Sequence, residues 1–398
     1  MVLTSSLRDL NGASVWAGLT AFIWYAFGTV PLQVAVSGQL GLSDTQSSSW
    51  IFIVWFSGAI ASITLSLYYR QPIPITWTIP GLVYLGTLAG QFTFSELVGA
   101  NLIAGALIVL LGLFGIGEKI MAWLPLPIVM GMFAGSILGY VTRLVKATVD
   151  DLFVAGLTVT GYLLGRAIGN PRVPPVGLAV FFGGVASLFS IKAKSAVITW
   201  SLPALTIPDM TFSWSALIAV SLPMVVLAMG LGNVQGLGFL MAQGYRVPTT
   251  AVTVVVGMTS MINAMLGGHP AITARTGVAI LAAPDAGPIT ARYWANIVAA
   301  TLTLLIAFFA IPLNSVFTIL PPGYVLSLAG LAILSSFQDA LEKSFIGSLK
   351  FGALVAFAVT ATPFSIAGIT SAFWAVLIGL AASLIVERQE LIKYWRSQ

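Results

Sequence analysis

Long apolar runs broken by short polar punctuation fill the chain from Ala13 to Val386. Such runs read as membrane-crossing helices, since a hydrocarbon core of about 30 Å takes ~20 apolar residues at 1.5 Å each. The first seven segments lie near 13–36, 47–68, 75–90, 96–115, 121–143, 150–167 and 174–190. A more polar stretch from Lys192 to Thr211, containing Pro203 and Pro208, separates them from the next seven. Those lie near 213–240, 248–266, 272–283, 290–311, 315–336, 347–363 and 369–386, and a charged tail, Glu387–Gln398, follows. Segments three and ten are too short to span, and each is preceded by proline-containing sequence that cannot be continuous helix.

Composition narrows the class. Of 398 residues 58% are hydrophobic and 7% charged, with a mean hydropathy of +1.00. A soluble domain carries roughly 25% charged residues, so a soluble enzyme, a nucleic-acid binder and a disordered chain are excluded. The net charge of +5 comes from basic residues scattered singly at segment ends, not from a nucleic-acid patch. No cysteine is present and only one histidine, which removes disulfides, thiolate metal sites and cysteine nucleophiles. No metal and no cofactor is therefore expected. Neither GxxxxGK[ST] nor HExxH occurs, so ATP-driven transport and zinc proteolysis lack their usual sequence support. The first apolar stretch carries no separable signal peptide and is expected to stay as a helix.

The two halves repeat one another. Gln71-Pro-Ile-Pro-Ile-Thr-Trp-Thr78 aligns with His269-Pro-Ala-Ile-Thr-Ala-Arg-Thr276 at an offset of 198. Leu124-Pro125 with Ala134-Gly135 recurs as Leu320-Pro321 with Ala329-Gly330. Gly28-Thr-Val30 and Gln39 match Gly232-Asn-Val234 and Gln243. Seven segments per unit is odd, so the second unit inserts upside down, as in many secondary transporters. The expected fold is an all-α polytopic membrane protein of about 14 transmembrane segments in two inverted repeats of seven, with short extended strands leading into half-helices 3 and 10. With both termini in the cytoplasm, Lys and Arg divide twelve inside against four outside; Arg143, Lys146, Lys192 and Lys194 are the outer ones. Arg275 falls on neither side.

Chemistry concentrates at the two breaks. Prolines 72, 74 and 80, and Gly267-Gly268-His269-Pro270, interrupt helix at matching places, and Ile73, Ile75 and Trp77 suit a short strand. If both strands reach mid-membrane, two half-helix N-termini meet there, and their free N–H groups favour an anion. The plainer alternative is a pair of kinked helices packed by neighbours. Arg275 would open the second half-helix, where arginine costs about 2.5–3.5 kcal/mol even on the lenient insertion scale. All twelve carboxylates fall at segment ends or in loops, so the expected partner of Arg275 is the carboxylate of a substrate, held in bidentate fashion. Backbone carbonyls could satisfy it instead.

As candidate substrate-binding residues beside Arg275, Thr276, Thr273, His269, Thr78 and Trp77 flank the breaks, Asn233 and Gln235 offer uncharged partners on segment eight, and Gln33, Tyr25 and Phe27 lie on the matching part of segment one. His269, Asp285 and Glu96 are the candidate proton carriers, although a lone buried histidine is more often structural. Gly131, Gly135 and Gly139 form a small-xxx-small series expected to serve helix packing. Segments five and twelve are expected to contribute few substrate contacts.

At Leu7-Arg-Asp-Leu-Asn11, Gly232-Asn-Val-Gln-Gly236, and Gly267-Gly-His269 followed by Ala271-Ile-Thr-Ala274, the chain resembles the bacterial benzoate:proton symporter family over nearly its whole length. That family is similar in hydropathy to the seven-plus-seven inverted-repeat transporters of nucleobases, sulfate and bicarbonate. The resemblance implies a core domain (residues 1–118 and 213–312), a gate domain (119–191 and 313–386), a periplasmic connector (192–212) and a cytoplasmic tail (387–398). It also implies a bacterial inner-membrane location and a substrate seated beside half-helices 3 and 10. Nucleobase relatives place acidic residues in segments eight and ten, where this chain offers Asn233, Gln235 and Arg275, so anion chemistry is favoured. The expected partners are a small organic anion such as benzoate, protons and the lipid bilayer, with a homodimer as an option and no nucleic acid. The competing readings are an inorganic-anion carrier, a passive anion channel and, most weakly, a membrane-embedded enzyme.

Overall fold

The computed structural model describes residues 9–170, 173–190, 200–203 and 205–396. Arg8, Arg172, Lys192 and Lys194 of the charge count, and part of the polar connector, lie outside the described residues. The chain begins with α1 (Gly12–Gln39), whose N-cap Asn11 accepts from the Ser14 N–H, and α2 (Asp44–Tyr69), opened by a Ser43/Gln46 capping box. Arg70, in the left-handed region at φ 52°, ends α2 and turns the chain into the proline-rich break.

That break forms strand β1 (Ile75–Trp77) and half-helix α3 (Ile79–Thr87). Next come α4 (Phe94–Leu113), α5 (Gly117–Trp123), α6 (Leu126–Asp150), α7 (Val154–Ile168) and α8 (Pro175–Ser190). The second half runs through α9 (Trp214–Ala242), α10 (Thr249–Met265), β2 (Ala271–Thr273) and half-helix α11 (Arg275–Leu281). It continues with α12 (Tyr293–Ala307), α13 (Ala310–Ile319), α14 (Pro322–Phe345) and α15 (Lys350–Ala361). It closes with α16 (Ser371–Val386) and α17 (Arg388–Arg396), bent 108° from one another. A two-residue hairpin pair at 365–366 and 369–370 precedes α16.

The elements follow the predicted segments in order, in a helical polytopic fold. Among the described residues six helices can cross a membrane alone by length and composition, or seven if the bent pair is one span, and five more are apolar but shorter. A 15-residue helix such as α12 reaches only about 22 Å.

Both expected breaks are strands, and they pair with each other antiparallel, Thr76 opposite Ile272. Beyond the ladder, Thr78 N–H donates to Pro270 O and Ala274 N–H to Pro74 O, each at 3.0 Å. The prolines force extended backbone, and its polar groups survive in a lipid-embedded protein because every strand residue is buried in protein. Around the ladder α4 packs on α10, while α12 packs on α1 and α2. A second set of contacts joins α6 to α14 and α15, and α7 to α8.

Three boundaries differ from expectation. Segment eight is not plain helix: π-helical turns occupy Leu217–Ser221 and Met229–Asn233, on either side of Pro223. Segments five and twelve each divide at their shared Leu-Pro, so that α6 starts after Pro125 and α14 after Pro321. Proline cannot extend a preceding helix but pre-sets φ for a new one. Each new helix also runs past the apolar run, α6 to Asp150 and α14 to Phe345, since helix propensity outlasts hydropathy when the extra residues face water or a cavity. The charged tail, too, is structured: Leu391 is buried, and the Tyr394 hydroxyl accepts from Leu126 N–H at 3.2 Å.

Candidate functional site

A cavity of about 240 Å³ opens at the strand tips. Trp24, Tyr25 and Trp77 wall it on one side, Met130 and Phe133 of α6 on another, and Leu331 of α14 on a third. Its polar groups are Thr29, Thr76, Gln235, Arg275, Thr276, Ser335, Ser336 and Asp339. Arg275 and Asp339 are the only charged side chains among them. The aromatic wall is fixed from behind. Trp77 donates to Thr29 Oγ1 at 3.1 Å and stacks at 4.4 Å on Trp55, which donates to Gln33 Oε1 at 2.7 Å.

Arg275 is the first residue of α11, where the helix dipole disfavours a cation and the N-cap Ala274 offers no side chain to the free N–H groups. The expectation that no carboxylate neutralises it is wrong. Asp339 lies 3.4 Å from Arg275 Nη1, and the same nitrogen donates to Gln235 Oε1 at 3.1 Å. Lys343, one turn along α14, donates to Asp339 Oδ2 at 2.9 Å and to Gln235 Oε1 at 3.3 Å. Asp339 was hidden because the apolar run stops near 336, whereas the helix continues to 345. The signal that could have found it is the 332–335–336–339–343 spacing of small, polar and charged residues, one face of a helix. Arg275 keeps its Nε–Nη2 edge free of side-chain hydrogen bonds among the described residues, and its side chain is 36% exposed.

Of the predicted residues, Tyr25, Trp77, Gln235, Arg275 and Thr276 line the cavity. The Tyr25 hydroxyl is buried and has no hydrogen-bond partner among the described residues. Thr273 and Asn233 stand one layer behind: Thr273 donates to Asn233 Oδ1 at 2.7 Å, and Asn233 donates to Thr253 at 2.9 Å. Thr78 caps α3 by accepting from Gly81 N–H at 3.0 Å, and Gln33 supports Trp55. The expected free backbone N–H groups at the breaks are partly spent, since Thr78 and Ala274 donate across the ladder. Phe27 is 39% exposed and is not in the wall.

The three candidate proton carriers lie outside the cavity wall. His269 is fully buried, its Nδ1 accepting from Trp50 Nε1 at 2.8 Å. Glu96 belongs to the Thr93 capping box of α4, and Asp285 sits exposed in a short turn. By contrast α6 and α14 supply much of the wall, more than the sequence led us to expect. Their glycines still serve packing: a Cβ on Gly135 would collide with Phe357 O and one on Gly330 would lie 2.5 Å from Leu144 Cβ, whereas Gly139 meets nothing. The Gly232–Gly236 run packs not on a helix but on β2, against Ile272 and Thr273.

A second cavity, of about 580 Å³, lies at the far end of α3, between Gln39, Tyr84, Arg143 and Thr370. The two cavities share no lining residue.

A family profile described as "Benzoate membrane transport protein" matches residues 8–385. The chain is 28% identical over 385 residues to the inner membrane protein YdcO of Escherichia coli (strain K12), covering 94% of each. It is 26% identical over 393 residues to the benzoate membrane transport protein of Acinetobacter baylyi, covering 97% of this chain and 98% of that one. Among solved structures it resembles the transmembrane domain of a cyanobacterium bicarbonate transporter, BicA (TM-score 0.59, 18% identity, 94% of this chain and 97% of that one). It also resembles murine Slc26a9 in the inward-facing state (TM-score 0.64, 14% identity, 98% of this chain and 71% of that one). At these identities the solved structures speak for the fold alone.

Proposed function

Because the chain belongs to the benzoate membrane transport protein family and is a multi-pass membrane transporter, we propose that it imports benzoate or a closely related aromatic carboxylate together with protons. The observation that carries this reading is the make-up of the cavity: one guanidinium, from Arg275, in a chamber walled by Trp24, Tyr25, Trp77 and Phe133. At about 240 Å³ the chamber lies just below the roughly 300–1,000 Å³ of drug-sized pockets, a fit for one ring and a carboxylate.

The substrate carboxylate takes the free Nε–Nη2 edge of Arg275, in the bidentate geometry a guanidinium offers. The substrate ring lies against Trp77, and Tyr25, whose buried hydroxyl faces Gly277, closes the wall beside it. Gln235 orients Arg275; Asn233 and Thr273 hold β2, which leads directly into it. Transport proceeds by alternating access between a core (1–118 and 213–312) and a gate (119–191 and 313–386), both termini cytoplasmic. Two cavities at opposite ends of the strand–half-helix unit suit that motion.

Uptake of labelled benzoate into proteoliposomes, with and without an inward proton gradient, tests the reading. Gradient-stimulated accumulation is expected; its absence, with bicarbonate or sulfate accumulating instead, would favour an inorganic-anion carrier. That second reading draws on the bicarbonate transporter among the fold neighbours. The aromatic wall weighs against it, since a small hydrated ion has no ring to stack.

A further inference from the structure

The Arg275–Asp339 pair joins α11, next to the ladder, to α14, on the opposite wall of the same cavity. Among the described residues Asp339 is the only carboxylate in that wall. We infer that Asp339 is the proton-accepting residue of symport: it neutralises Arg275 in the empty site and takes up a proton when the substrate carboxylate binds. The inference rests on the aromatic-carboxylate reading above and adds to it the residue that couples the proton.

The geometry supplies the reason. Arg275 Nη1 is already shared between Gln235 and both oxygens of Asp339, at 3.1, 3.4 and 3.5 Å. A substrate carboxylate on the remaining edge places two carboxylates on one guanidinium. Two carboxylates sharing a site repel, and a proton on one of them relieves the repulsion. The step balances simply: an O–H bond forms at an Asp339 oxygen, the ion pair to Arg275 loosens, and the substrate anion replaces it. Release on the other side reverses each part. Charge is conserved in the cluster as well. Arg275, Lys343 and Asp339 together carry one positive charge, and adding one anion with one proton leaves it unchanged. An anion alone would cancel it.

Protons can reach the residue, because the Asp339 and Lys343 side chains are 30% and 29% exposed. Other charged groups near this stretch are few. On α14 itself Lys343 contacts Asp339 directly, and Glu342 accepts from Gln338 on the next face. From α7, Arg166 reaches Gln338 at 3.5 Å and Tyr162 meets Ser335. From α1, Tyr25 shares the cavity, and α8 brings no charged residue. Arg143, Lys146 and Asp150 belong to the end of α6 that meets residues 323–330 of α14, away from Asp339. Lys350 is exposed at the foot of α15.

The test measures benzoate binding and proton uptake together, by calorimetry and by a pH indicator in weakly buffered detergent solution. Wild-type protein should take up a proton for each benzoate bound, and its affinity should rise as pH falls toward the substrate's own titration near pH ~4. Asp339→Asn cannot ionise, so benzoate binding in it should become independent of pH and free of proton uptake. Asp339→Glu should restore uptake. Wild-type protein that binds benzoate without taking up protons overturns the inference and leaves the substrate reading standing. So does an Asp339→Asn protein with wild-type uptake. Wild-type protein that binds no benzoate and accumulates none in proteoliposomes overturns the substrate reading, and this inference with it. If Asp339→Asn fails to fold, Asp339→Glu decides: the longer carboxyl should shift the pH at which uptake is half-complete, and a profile identical to that of the wild type overturns the inference.

Discussion

Ser62 and Ser260 do the same work in the two halves of the molecule. Ser62 Oγ accepts from the Ile75 N–H of β1 at 2.8 Å, and Ser260 Oγ accepts from the Ala271 N–H of β2 at 2.9 Å. Both serines are buried, on the long helix just before each break, at the 198-residue offset that relates the two proline motifs. Each satisfies a strand donor that the two-stranded ladder leaves over.

Replacing either serine by alanine should leave that N–H buried and unpaired, a loss of about 1–3 kcal/mol. Thermal unfolding in detergent should show a lowered midpoint for each variant and a larger drop for the pair. An unchanged midpoint in both single variants would mean water reaches the strand ends.

Arg275→Lys keeps the charge and loses the fork; Arg275→Ala loses both. Hydrogen bonds to charged groups are worth roughly 1.5–3 kcal/mol, so benzoate affinity should fall about tenfold to a hundredfold, most in Arg275→Ala. Calorimetry on folded, inserted protein checks this. Normal affinity in Arg275→Ala would make the residue a structural link between α11 and Asp339.

Gly277, in the first turn of α11, faces the Tyr25 hydroxyl so closely that a Cβ there would collide with it. Gly277→Ala should therefore push Tyr25 out of the cavity wall and weaken benzoate binding. Tyr25→Phe removes the clashing oxygen, so adding it to Gly277→Ala should cost less than the two single losses combined. Strict additivity would show that the hydroxyl is not where the two effects meet.

His269 presents the opposite case. Its Nδ1 accepts from Trp50 and its carbonyl accepts from Asn263 at 3.0 Å, which locks it behind the ladder. His269→Gln should lower stability while proton-driven uptake persists. Loss of pH dependence with folding intact would return the proton to His269.

Topology gives the simplest check. Reporters fused after Gly169 and after Gln398 should both read cytoplasmic. A periplasmic C-terminus would mean an even number of crossings in one repeat and would remove the inverted-repeat argument.

The sequence alone determined the class, the broken segments and the residue at their focus. Composition left no surface for a soluble fold, and prolines at matching positions fixed where helix must stop, because both effects are local and covalent. Arg275 stood out for a similar reason, as an expensive residue at a break, which the charge count assigns to neither side of the membrane. What only tertiary structure decided is which side chains meet across long separations. The pairing of Thr76 with Ile272, the retreat of Gln33 and Asn233 to a supporting layer, and the burial of His269 behind Trp50 all depend on how distant segments pack. Asp339 falls between the two. Its spacing with Ser335, Ser336 and Lys343 was readable as a helix face, but hydropathy ended the segment three residues too early. Only the packing of α14 opposite α11 brings that carboxylate, 64 residues along the chain, to the guanidinium it neutralises.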